Sequence, residues 1–148
     1  MRHRAIVMGA VCLLSVWPAS LVARPSSANP ADVALIRRFF GLIDRHRPAE
    51  AAAMMGPEIA AGPGDRAAWT RQFSAIRSAS VRDIRPSALD GGDRCRSYKV
   101  TIDVQLASRI GRTPIPAYGW GPNPNLRWIS VCKDRASSLH IASFGTGP

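Results

Sequence analysis

Acidic residues are scarce: 10 Asp+Glu stand against 20 Lys+Arg, a formal net charge of +10 over 148 residues. Histidine (3), cysteine (3) and tyrosine (2) are rarer still. With so few ligating side chains, and none at HExxH, EF-hand or paired-cysteine spacing, neither a resident metal nor a cofactor is expected. GxSxG and the Walker pattern are missing too, which removes the common serine-hydrolase and nucleotide-hydrolase signatures. No apolar run approaches the ~20 residues that a membrane-crossing helix needs. Repeats and low-complexity tracts are absent, and 46% hydrophobic with only 20% charged residues excludes a disordered polyelectrolyte. What is present fits one ordinary globular domain.

Arg2, His3 and Arg4 precede the apolar stretch Ala5 to Trp17. As a helix this stretch reaches about 20 Å, short of a ~30 Å hydrocarbon core, and it has the layout of a secretory signal peptide. Pro18 ends it, and small residues offer cleavage after Ala23 or Ala28. We place the leader at residues 1–28 and a single domain at 29–148, with an uncleaved N-terminal anchor as the alternative. The expected location is periplasmic or secreted. Losing the leader removes three arginines and no acid, taking the charge from +10 to +7. An exported cationic chain meets anionic envelope components rather than nucleic acid, and these arginines are dispersed rather than gathered in one patch.

Cys12 leaves with the leader, so Cys95 and Cys132 remain as an even pair in an oxidising space. Neither has a CxxC partner, and a disulfide between them is expected. Closing a loop of roughly 38 residues would remove about 4 kcal/mol of unfolded-chain freedom in the chain-entropy model.

Helices are expected first and strands afterwards. Asn29 caps a helix from Pro30 to about His46, with Val33, Ile36, Phe40 and Ile43 on one face and His46 as a cation at its end. Pro48 opens a short second helix that Gly56-Pro57 ends. Asp65 caps a third, in which Trp69, Phe73 and Ile76 share a face. From Ser80 the period changes to two. Tyr98, Val100, Ile102, Val104 and Leu106 alternate with polar residues, the clearest strand in the chain. Weaker strands are expected over 81–89, 126–133 and 139–144, the first turned by Asp90-Gly91-Gly92-Asp93. This order reads as an α+β fold with N-terminal helices packed on a curved antiparallel sheet.

The three-helix start and the closing run, Tyr118-Gly119-Trp120 through Asn125-Leu126-Arg127-Trp128-Ile129 to His140-Ile141-Ala142-Ser143-Phe144, resemble small exported bacterial members of the nuclear transport factor 2-like (cystatin-like cone) superfamily. The resemblance covers about residues 30–148 and rests on element order. It implies a sheet wrapped around the first helix, with a pocket at the open end of the cone. That pocket is an active site in ketosteroid isomerase and polyketide cyclase relatives and a docking cavity in others. Neither catalytic set maps onto this chain residue by residue.

Strand parity adds geometry. If Cys95 and Cys132 bond across neighbouring strands, they share a face with Ser97, Lys99, Thr101, Trp128 and Ser130. Arg127, Ile129, Val131 and Tyr98 then face the helices. An arginine there either meets an anionic partner or ligand, or reaches solvent along its stem. Asp103 falls on the wet face, against a role as base. His140 sits between Leu139 and Ile141, across the sheet from the core. Trp120 belongs to a proline-rich, aromatic segment, 113–124, which either closes over the core or forms a rim that stacks on a ligand.

Three function classes follow. The first is a non-enzymatic exported module that binds a small molecule or partner peptide through Tyr98, Arg127 and Trp120. The second is an isomerase, dehydratase or cyclase with His140 or Asp103 as base and Tyr98 or Arg127 on an oxyanion. The third is an envelope-associated protein that forms a homodimer through the outer face of its sheet around Trp128.

Overall fold

The structure is a computed structural model and describes residues 27–90, 93–110, 113–114 and 119–147. The expected leader, apart from its last two residues, lies outside these, as do Gly91, Gly92 and Tyr118. Three helices, α1 (Pro30–Asp44), α2 (Pro48–Ala53) and α3 (Pro63–Ser74), precede the strands β1 (Ile76–Asp90), β2 (Cys95–Leu106), β3 (Arg109–Ile110), β4 (Thr113–Pro114), β5 (Asn125–Lys133) and β6 (Leu139–Gly145). The architecture is α+β. β1, β2, β5 and β6 form one antiparallel sheet in that order, and β3 and β4 pair separately as a minimal hairpin. Among the described residues no helix is long and apolar enough to cross a membrane.

α1 starts as its sequence dictates. Asn29 accepts hydrogen bonds from the Ala31 and Asp32 amides at 3.0 and 3.4 Å, and Pro30 follows where no amide is needed. Ile36, Phe39, Phe40 and Ile43 form its buried stripe. The helix stops two residues before the expected His46. Arg47 N–H donates to Leu42 O and His46 N–H to Ile43 O, the paired bonds of a Schellman ending, with His46 in the left-handed region at φ 56°. His46 therefore occupies a position that glycine fills best.

α3 begins at Pro63, and Asp65 reaches back to accept from the Gly62 amide at 3.0 Å. Ile76, expected on the face of this helix, instead opens β1. β1 is also longer than the alternation indicated. Its pairing with β2 slips between Ile76 and Ser78, between Val81 and Asp83, and between Pro86 and Asp90, and each slip breaks the period-two pattern. Pro86 is tolerated because β1 is an edge strand. The other edge is partly covered: Met54–Gly56 runs beside β6, with Gly56 N–H donating to Ile141 O at 2.8 Å and Ile141 N–H to Met54 O at 2.9 Å.

One core fills the space between helices and sheet. Phe144 makes ring contacts with Phe39, Phe40, Trp69, Phe73 and Trp120. Val100, Ile102, Ile129 and Ile141 supply the sheet side, each with no exposed surface.

Candidate functional site

Cys95 stands directly opposite Cys132, and their sulfurs are 1.98 Å apart. The same register sets Tyr98 against Ile129 and Val100 against Arg127, so these four point toward the helices. Arg127 is only 4% exposed. Its guanidinium donates to Leu126 O at 2.8 Å and to Gly119 O at 2.9 Å, and lies 3.9 Å from the centre of the Trp120 ring. No carboxylate among the described residues pairs with it. Burial lowers its pKa from the ordinary arginine value. Trp120 is itself buried, and its indole Nε1–H has no acceptor among the described residues. A desolvated cation and an unanswered donor thus share one spot. Gly119 and Gly121 on either side of Trp120 are exposed, which leaves the spot one side chain below the surface.

Two asparagines hold this spot in place, and sequence reasoning passed over both. Asn123 accepts from Val104 N–H at 2.8 Å and donates to Val104 O at 3.0 Å, imitating a strand partner. Asn125 spans the turn in the same two-way fashion, with Gly121 N–H at 2.9 Å and Gly121 O at 3.2 Å. Their position around Pro124 in a turn-forming run was the available signal. Trp120 itself is buried and packs against Phe144.

Tyr98 is engaged elsewhere. Its hydroxyl donates to Asp32 Oδ2 at 2.6 Å, and Arg96 grips the same carboxylate with two bonds of 2.5 and 2.8 Å. Asp32 has no exposed surface. Burial alone would raise its pKa, but the hydrogen bonds from Arg96 and Tyr98 outweigh that and hold it below the usual aspartate value. Burial, and then the Asp32 contact, raise that of Tyr98. This triad is complete within the protein, so Tyr98 and Arg127 share a face without sharing a site. Nothing in the alternation marked Asp32 and Arg96 as partners 64 residues apart.

The two candidate bases do not converge. Asp103 binds Arg82 Nε at 2.5 Å on the outer face. His140 is opposite Cys132, with Nε2 3.1 Å from Glu58 Oε2. About 26 Å of extended strand separate position 103 from position 95, which lies in the row of Cys132 and His140. Neither base is on the face that carries Tyr98 and Arg127. Among the described residues no group of three or more His, Cys, Asp or Glu side chains could hold a metal ion.

One cleft of about 240 Å³ opens between α1 and β1 beside Asp44 and Ser80. Another, of about 610 Å³, opens beside the disulfide and His140.

The sequence matches no protein-family model, and a search of curated proteins finds no match either.

Proposed function

We propose that this protein is an exported, non-enzymatic binding module in which Arg127 and Trp120 hold a small anionic ligand, a carboxylate of a small molecule or of a peptide. The observation that carries the reading is the buried guanidinium that meets no carboxylate among the described residues, stacked on an indole whose N–H meets no acceptor among them. Burying a lone cation costs several kcal/mol in typical proteins, a cost that an incoming anion offsets by bidentate hydrogen bonding. A carboxylate matches both the guanidinium fork and the indole donor. The basic, apolar leader and the Cys95–Cys132 pair support export. Helices followed by a bulged antiparallel sheet support the nuclear transport factor 2-like resemblance, whose cone would open toward this end of the fold.

The test is thermal unfolding of the folded protein with acetate, benzoate and inorganic phosphate at constant ionic strength, beside an Arg127→Met variant. A saturable rise in Tm with a carboxylate, absent from the variant, is the expected result. Equal shifts in both proteins, or none in the wild type with any of the three, would refute the reading.

A further inference from the structure

We infer that the cleft beside the disulfide is a thiol exchange site, in which Cys95 forms a mixed disulfide with a small anionic thiol. Both cysteines line the cleft, but Cys132 is 5% exposed and Cys95 only half-buried, so an incoming thiolate reaches Cys95 more readily and Cys132 becomes the leaving group. The leaving sulfur is well served. His140 is the cross-strand neighbour of Cys132 on the same face of the sheet, a register that brings β-carbons to about 5 Å. Glu58 holds the ring through Nε2, with its two oxygens at 3.2 and 3.1 Å. The ring also packs against Gly56, where a β-carbon would overlap it. When the ring carries both protons, Nε2–H is held by Glu58 and Nδ1–H is left to donate to a departing thiolate. The cleft walls carry Arg94, Lys133 and Arg135 against the carboxylates of Glu58 and Asp134, a surplus that attracts anionic thiols.

The first step forms a bond between the external sulfur and Cys95 Sγ and breaks the Cys95–Cys132 bond. Its electron pair goes to Cys132 Sγ, which pairs with or takes a proton from the His140 imidazolium. A second external thiolate then attacks the external sulfur of the mixed disulfide. Two thiols are oxidised to one external disulfide, and the Cys95–Cys132 bond is reduced to two thiols. This chemistry lies on the face of the sheet opposite Arg127, and the two sites share no residue.

The test is the rate at which the folded full chain reacts with glutathione and with uncharged 2-mercaptoethanol at matched thiolate concentration, trapped by alkylation and read by mass spectrometry. At low salt glutathione should be favoured about fivefold or more, and that preference should collapse near 1 M salt or in Lys133→Gln/Arg135→Gln, an exposed double variant. His140→Gln should slow both thiols about tenfold by removing support from the leaving sulfur, with its melting curve confirming the fold. The glutathione adduct should map to Cys95. An adduct on Cys132, equal rates for the two thiols at every salt concentration, or a His140→Gln rate equal to wild type would each overturn the proposal.

Discussion

The Tyr98 hydroxyl donates to Asp32 Oδ2 at 2.6 Å, joining the first turn of α1 to β2. With Arg96 closing on the other side, the carboxylate has a cation and a neutral donor while losing all contact with water. Burial of an aspartate is affordable only under such conditions.

Removing either partner should therefore destabilise the fold by different amounts. Tyr98→Phe deletes one hydrogen bond to a charged group and should cost about 1.5–2 kcal/mol. Arg96→Met leaves the carboxylate without its cation and should cost about 2–3 kcal/mol, discounted because water reaches the half-exposed guanidinium. Urea unfolding of the two variants checks the order.

Acid should undo the same triad. The folded Asp32 carboxyl titrates below its unfolded value, so its contribution is complete above about pH 4 and disappears as pH falls through the lowered folded pKa. Asp32→Asn should flatten the stability profile below about pH 4 while leaving the protein less stable at neutral pH. A profile unchanged by the substitution would show that other carboxylates dominate acid unfolding.

His46 sits at φ 56° after α1, in a conformation that side chains with a β-carbon resist. His46→Gly should stabilise the protein by about 0.5–1 kcal/mol, measured as a rise in Tm.

Gly56→Ala should do the opposite. The new methyl would overlap the His140 ring and the Glu58 carboxylate. Both are the ends of side chains that can turn aside, so the cost should be about 1 kcal/mol or less, and the His140 resonances in NMR spectra should shift.

Local rules made much of this molecule legible. The Asn29 cap, the stripe from Ile36 to Ile43 and the alternation from Tyr98 to Val104 identified α1 and β2 because each depends on neighbours within a few residues. Given two cysteines, parity on adjacent strands then turned Arg127 toward the helices, without deciding whether it would be buried or reach solvent. The start of β1 was hidden, since Ile76 continues the apolar spacing of α3 and bulges disrupt the period that follows. Long-range choices were hidden as well: Asp32 reads as an acid at a helix start, and Arg96 as one more surface cation. Only the packed chain brings them together. The Asn123 and Asn125 bridges depend likewise on a turn whose path the residues around it do not specify. That Arg127 would meet no carboxylate among the described residues depended on where each acidic residue fell, and no local pattern fixes that.

The central claim is that Arg127 and Trp120 await an anion. An NMR titration of the folded protein with benzoate, following the Arg127 Nε–H and Trp120 Nε1–H resonances at constant ionic strength, tests it most directly. Saturable shifts of both, with the indole proton moving downfield as it gains an acceptor, are predicted. Resonances that stay in place while only exposed arginines respond, linearly and without saturation, would contradict it.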